Sequence, residues 1–219
     1  MRLALTKDHL DFFYRNHYIE LEDLLTPQQV ETLAQGIEDV LTKRMGDVFR
    51  TPKKVYLAGQ NCWNDDPRIR KVVLSRDLAE IASQLTKERT VRLAFDQVLC
   101  GSLSGEKIFD EPLHLQDLSS IQKVTCGLIL NISSSEELDD PLPKKPGSAT
   151  FFSLRHPLSF DYLSETSNLT QLMIVYAVDN ALYTHNPIDP HTHALKKLHY
   201  GFGDHVRPHT HPIVLTQHR

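Results

Sequence analysis

The sequence predicts a mostly β domain with several helices at its N-terminal end, an α+β arrangement. Two observations support this class. Helical apolar spacing with capping residues occurs before residue 90, and strand-like apolar runs follow it. With 219 residues and 40% hydrophobic content, the chain is long enough to bury one core. We therefore expect a single domain over residues 1–219.

The helical part should begin with a short helix near residues 8–15 and continue with a long helix after Thr26. Thr26 is a capping residue, and Pro27 suits the first helical position. The long helix should end near Met45 and Gly46. Its apolar stripe consists of Val30, Leu33, Ile37, Val40 and Leu41.

A further helix is predicted after Ser75, a second capping residue. Leu78, Ala82 and Leu85 would form its buried face, and a helical turn at residues 67–74 would precede it.

The remaining elements are predicted strands, and several of them are apolar on both faces. Such strands lie in the middle of a sandwich or against packed helices. A segment rich in acidic residues and proline, Ser133 to Pro146, separates two of them and is predicted to be a mobile surface loop. The strands are Val91 to Cys100, Lys123 to Ile132, Ala149 to Leu154, and Leu169 to Val178.

Composition gives no reason to expect some partners and favours one compartment. A net charge of -4 gives no broad reason to expect nucleic acid or an anionic membrane as a partner. The sequence has no apolar window long enough to span a bilayer, and its N-terminus lacks the apolar core of a signal peptide. The cysteines Cys62, Cys100 and Cys126 are odd in number and widely spaced, which favours free thiols and a cytoplasmic protein.

Four motifs occur in a consistent order along the chain. Residues 13–30, FYRNHYIELEDLLTPQQV, contain an aromatic residue, a tight turn, a short strand and the start of a long helix. VRLAFDQ at 91–97, LQD at 115–117 and PGSATFF at 146–152 follow. In type, order and spacing these motifs resemble the phytanoyl-CoA dioxygenase family, and the resemblance covers roughly residues 8–180. It implies a double-stranded β-helix, the cupin-like jelly roll, with about eight core strands and helices packed on one sheet.

We expect three parts within the single domain. They are a helical N-terminal part over residues 8–90, a jelly-roll core over 91–180, and a histidine-rich C-terminal extension over 181–219, beyond the resemblance, that docks on the core. Active family members hold iron(II) with a His-x-Asp pair and a distal histidine, and they bind the far carboxylate of 2-oxoglutarate with an arginine. Two imidazoles and one carboxylate leave three metal positions for the keto acid and dioxygen.

The chain departs from this pattern at the proximal metal ligands. The His-x-Asp position reads Leu115-Gln116-Asp117, and His114 lies one residue early. One step along a strand turns a side chain to the opposite face. His114 is either a loop residue or a ligand in a bulged His-x-x-Asp arrangement, and Asp117 is either a ligand or a turn carboxylate.

The distal ligand and the cosubstrate anchor are also altered. His156 best matches the distal histidine, although it could instead be a strand-end residue bonded to backbone. The arginine's place falls near Thr170 or Gln171, and neither can form a bidentate pair with a carboxylate. Lys123 is a candidate replacement anchor or a solvent-facing lysine.

Arg92 is a second candidate for cofactor binding. Arg92 and Asp96 alternate onto one face of a regular strand, so they either line the barrel interior or form an internal ion pair.

Eight of the twelve histidines lie between His185 and His218. On a strand, the members of each pair His191/His193 and His209/His211 would lie on the same face. Three roles are open for these histidines: metal chelation, neutral hydrogen bonding or pH sensing. The apolar residues of this tail predict that it docks on the jelly roll, as an added strand in one arrangement.

Two function classes follow from these expectations. One is a small-molecule-binding or regulatory scaffold with a degenerate iron/2-oxoglutarate site, needing no cofactor. The other is an active Fe(II)/2-oxoglutarate-dependent oxygenase that hydroxylates a small organic substrate with an altered triad. Fold alone does not decide between them, and the sequence leaves the oligomeric state open.

Overall fold

The computed structural model describes residues 4–133 and 138–217. His218 and part of the predicted Ser133–Pro146 loop therefore lie outside the described residues. The helices are α1 (Lys7–Asn16), α2 (Pro27–Met45), α3 (Pro52–Ala58), α4 (Pro67–Val73) and α5 (Arg76–Thr86). The strands are β1 (Tyr18–Leu21), β2 (Thr90–Cys100), β3 (Ile121–Asn131), β4 (Ala149–Ser153), β5 (Thr170–Tyr183) and β6 (Ile213–Thr216).

Local sequence explains the start and end of α2. The Thr26 hydroxyl accepts a hydrogen bond from the Gln29 N–H at 3.3 Å, and the Gln29 side chain accepts one from the Thr26 N–H at 2.9 Å. This capping box satisfies two donors that the helix leaves unpaired. Gly46 ends the helix with φ +61, and the predicted apolar stripe is buried. The prediction for this helix is confirmed.

The six strands form one curled antiparallel sheet in the order β1-β4-β3-β5-β2-β6. One face packs on the helices, where Leu33 and Ile37 of α2 share a core with Leu128 of β3 and Ile174 of β5. The opposite, concave face packs against the long irregular segments that connect the strands. The sheet therefore separates a helix-side core from a concave-side core.

The predicted fold class, a jelly roll with helices packed on one sheet, is confirmed. The expected number of about eight strands is not reached, because the described residues contain six. Outside the sheet, Leu113 and Leu158 pair only as an isolated bridge, and Leu182 at the end of β5 forms another isolated bridge with His205. Pro112 and Pro157 directly precede the first of these pairs, and proline cannot donate to a strand ladder, which limits regular pairing there.

The C-terminal segment is fixed to the sheet at two places. β6 pairs with β2, and Thr90 lies opposite Thr216. The buried Asp189 carboxylate accepts hydrogen bonds from the backbone N–H groups of Ser120 and His191, each at 2.7 Å. These bonds join the segment to the start of β3.

The described part of the acidic loop also contacts the core. Leu138 is buried, and the Asn131 amide donates to the Lys144 carbonyl at 2.8 Å. This part of the segment therefore lies at the surface, as predicted, with Leu138 and the Lys144 carbonyl anchoring it to the sheet.

Within the described ranges, we find no helix that combines the length and the apolar character needed to cross a membrane.

Candidate functional site

The turn ahead of β3 contains the position expected for the proximal histidine. Leu115 opens a single 3-10 turn, Leu115–Asp117, and is 1% exposed. Its side chain packs on Gly127 of β3, since a Cβ added to Gly127 would lie 2.9 Å from Leu115 Cδ2. The same Cβ would lie 3.2 Å from Val175 Cγ2, on the concave side of β5. Leucine therefore points into the concave face at this position.

Two hydrogen bonds connect His114 and Asp117 across the turn. The His114 N–H donates to the Asp117 carboxylate at 3.3 Å, and the Asp117 N–H donates to the His114 carbonyl at 2.8 Å. The Asp117 carbonyl accepts from the Asn186 side chain at 2.9 Å. The carboxylate thus closes a turn, while His114 Nδ1 is buried and has no partner among the described residues.

His156 follows the end of β4 and packs between aromatic rings. Its ring centroid lies 5.1 Å from that of Phe152 and 5.5 Å from that of Tyr18. Burial, together with nearby His17 and His114, lowers the pKa of His156. The imidazole is therefore favoured in its neutral form, the form that binds metals.

These three predicted ligands do not complete a metal site with the side chains around them. Across residues 4–133 and 138–217, no group of three or more His, Cys, Asp or Glu side chains could hold a metal ion. A facial triad needs two imidazoles and one carboxylate at one point, and Leu115 supplies no donor. The residues described here do not fit the iron centre that the family resemblance implies.

The strand positions at which the family resemblance places the oxoglutarate arginine carry neutral side chains. The Gln171 side-chain carbonyl accepts a hydrogen bond from the Tyr162 hydroxyl at 2.7 Å, and the Thr170 N–H donates to the Ser133 hydroxyl at 2.8 Å. Gln171 is fully buried. Neither side chain can neutralise a carboxylate, so this end of the concave face has no charged anchor at the expected position.

Buried amides lie at one end of the concave face, and the sequence patterns did not reveal this amide cluster. Asn131 lies opposite Gln171 across β3 and β5, while Gln97 lies on β2 opposite Met173, two residues along β5 from Gln171. All three are fully buried, and each keeps one amide atom without a partner among the described residues. Isolated amides inside apolar strands were the available sequence signal.

Aromatic rings fill another part of the concave side. Tyr56 lies 5.2 Å from Phe109 and 6.5 Å from Phe160, and the two phenylalanines lie 5.8 Å apart between ring centroids. Burial of the Tyr56 hydroxyl raises its pKa, so the phenol stays neutral. This part of the interior is a packed core.

Arg92 is tied to the protein's own backbone and carboxylates. Its guanidinium contacts the Asp179 carboxylate at 2.6 Å and donates to the His211 carbonyl at 2.5 Å. The predicted Arg92–Asp96 ion pair is wrong. The register shifts between Leu93 and Phe95, so strict alternation is lost between the two residues.

Asp96 instead faces the helix side. Its carboxylate accepts from the backbone N–H groups of Cys62 at 2.9 Å and Trp63 at 3.4 Å. Burial raises the pKa of Asp96 to about 7. The residue therefore links β2 to the segment before α4.

Lys123 has an unusual backbone conformation within β3. Its φ is +64, and the pairing of β3 with β5 shifts register on both sides of Val124. The side chain is exposed and lines an open groove of about 700 Å³. It does not lie beside the amide cluster that replaces the expected anchor.

The C-terminal histidine pairs lie in turns, and each pair is split between buried and exposed positions. His191 is half-buried and His211 is buried, whereas His193 and His209 are exposed. His193 stacks on His185 at 5.9 Å between centroids. Burial, Arg92 and His209 lower the pKa of His211 to about 4, so this imidazole is neutral at pH 7.

All three cysteines are free thiols. Burial raises the pKa of Cys62 and Cys126 to about 12 each and that of Cys100 to about 11. Thiols in such surroundings are poor nucleophiles and poor metal ligands.

Neither a family model nor a curated protein sequence matches this chain. Solved structures do match. The non-heme alpha ketoglutarate dependent carbocyclase SnoK from nogalamycin biosynthesis is 15% identical, with a TM-score of 0.70 over 95% of this chain and 96% of that one. The epimerase SnoN from the same biosynthesis is 14% identical, with a TM-score of 0.71 over 95% and 98% of the two chains.

CytC3, solved with Fe(II) and alpha-ketoglutarate, is 11% identical, with a TM-score of 0.62 over 85% of this chain and 82% of that one. SnoN has also been solved with Fe3+, alpha ketoglutarate and nogalamycin RO. At such identities, the likeness establishes the fold. This chain therefore has the fold of non-heme iron/2-oxoglutarate-dependent enzymes.

Proposed function

We propose that this chain is a small-molecule-binding or regulatory protein that uses the fold of Fe(II)/2-oxoglutarate enzymes without their metal centre. One observation carries the proposal: Leu115 packs on Gly127 where the family resemblance requires the proximal histidine. Leucine has no lone pair to give a metal. The neutral amide cluster around Gln171 supports the same conclusion for the cosubstrate.

The second candidate is an active Fe(II)/2-oxoglutarate-dependent oxygenase acting on a small organic substrate. The comparisons favour this candidate over the first, because the similar structures are iron/2-oxoglutarate enzymes matched over most of the chain. In this case His114, Asp117 and His156 would hold Fe(II), with Lys123 or Arg92 as the cosubstrate anchor. Membership of the phytanoyl-CoA dioxygenase family is part of this second proposal.

The proposal for partners and location follows from charge and thiol chemistry. The net charge of -4 supports a small-molecule ligand over nucleic acid or an anionic membrane. Three free cysteines support a reducing compartment, and we propose the cytoplasm.

Turnover of 2-oxoglutarate separates the two candidates. Purified protein is incubated with Fe(II), 2-oxoglutarate and dioxygen, and succinate is measured against an iron-free blank. We expect no iron-dependent succinate. Iron-dependent succinate that Asp117→Ala abolishes, while Asp110→Ala at an exposed position of the preceding loop leaves it unchanged, would establish the oxygenase.

A further inference from the structure

A groove of about 700 Å³ lies outside the concave face, between the last turns of α1 and α5 and the first half of β3. Its apolar wall includes Tyr14, Leu85, Leu154 and Val178. The volume is within the usual range for small-molecule pockets, which is about 300 to 1,000 Å³.

The edge of β3 is open at this groove. β4 pairs with β3 only from Cys126 to Leu130 and then leaves the sheet after Ser153. Lys123 lies on the unpaired stretch with φ +64, a conformation that non-glycine residues adopt infrequently. Register shifts of this kind re-aim a side chain, and here the lysine lines the groove.

The charge in the groove is positive. Lys123 and Arg155 line it, and neither side chain has an ion-pair partner among residues 4–133 and 138–217. Lys87 adds a third positive charge at the rim, 4.9 Å from the centroid of the Tyr14 ring. Glu88 is the acidic residue of the lining. Cations beside an apolar wall match a ligand with an anionic group and an apolar body.

We propose that this groove binds a small organic carboxylate whose apolar body contacts Tyr14, Leu154 and Val178. Lys123 and Arg155 bind the carboxylate from two sides, the lysine as a point charge and the guanidinium as a planar donor pair. The inference rests on the proposed binding function for its biological meaning. The groove itself is separate from Leu115 and the amide cluster.

Calorimetric titration with 1-naphthoate tests the proposal, with 1-naphthalenemethanol and 1-naphthylmethylammonium as neutral and cationic analogues of similar size. We expect naphthoate to bind about tenfold more tightly than the alcohol and the ammonium ion to bind most weakly. Equal affinity for naphthoate and the alcohol would overturn the proposal, as would undetectable naphthoate binding by folded protein.

Variants that remove one positive charge from the groove test whether naphthoate binds there. Lys123→Asn keeps a residue that tolerates positive φ, and Arg155→Gln changes an exposed turn residue. Each should weaken naphthoate binding about threefold and the pair about tenfold, as expected for partly solvated charge pairs. Lys53→Gln, at an exposed lysine of α3, is the matched control and should bind as the unmodified protein does.

Unchanged affinity in Arg155→Gln would place naphthoate elsewhere and overturn the proposal, even if Lys123→Asn failed to fold. The succinate assay has an independent readout. Iron-dependent turnover would refute the proposed function while leaving naphthoate binding and its loss in the variants intact. Loss of naphthoate binding would leave the turnover result unaffected.

Discussion

Two residues on facing elements, Leu115 and Gly127, pack against each other on the concave side of the sheet. Gly127 leaves room on the concave side of β3, and the Leu115 side chain occupies that room. Adding a methyl group at Gly127 would bring it within 2.9 Å of Leu115 Cδ2. The two positions are therefore packed against each other, and their substitutions should not act independently.

A double-mutant cycle tests this contact. Gly127→Ala should destabilise by about 1 to 3 kcal/mol through overpacking, and Leu115→Ala by about 2 to 5 kcal/mol through the cavity that it leaves. The double variant should lose less stability than the sum of the two, because alanine at position 115 makes room for the new methyl group. Chemical denaturation measures each value, and simple additivity would contradict the packing.

Asp96 predicts a pH dependence of stability. Burial raises its pKa to about 7 from the usual value of 3.8, so between these values the folded protein holds a proton that the unfolded chain releases. The contribution of Asp96 is therefore fully present at low pH and is lost as the pH rises through this window. Asparagine does not titrate, so the variant Asp96→Asn removes this contribution to the pH dependence.

The measurement is the difference in unfolding free energy between the unmodified protein and Asp96→Asn, taken at several pH values. We expect this difference to shift against the unmodified protein between about pH 4 and pH 7. A difference that stays constant across the window would show that the pKa of Asp96 is not raised.

At the level of elements, α2 contributes its apolar stripe to the core on the helix side of the sheet. Leu33 is 1% exposed and belongs to the core shared by α2 and the sheet. Leu33→Ala should cost about 2 to 5 kcal/mol in unfolding free energy. Glu31→Ala, at an exposed position on the same helix, should change it by less than about 0.5 kcal/mol. Similar small losses in both variants would mean that the stripe is not buried.

Periodicity predicted α2, α5 and the long strands, because each has a local signal that its packing reinforces. Thr26 and Ser75 are both observed as N-caps. Deviations from regular pairing have no such signal. The register shift after Leu93 separates Arg92 from Asp96, and Lys123 has a positive φ beside the register shifts of β3.

For the whole molecule, the fold class could be predicted from the order of elements, while the interior could not. The sequence identified Leu115 as the departure from the expected metal pair. A single sequence could not show how the leucine side chain packs in the folded protein. That depends on Gly127, twelve residues away on β3. The groove beside Lys123 likewise depends on where β4 leaves the sheet.

The central proposal is that this chain keeps the fold of iron/2-oxoglutarate enzymes without their iron centre. The most direct test loads the protein with Fe(II) under anaerobic conditions, removes unbound metal, and measures iron per chain by mass spectrometry. We expect a ratio well below one that Asp117→Ala and His156→Ala do not change, because these side chains lack a third donor. A ratio near one that either substitution abolishes would contradict the account.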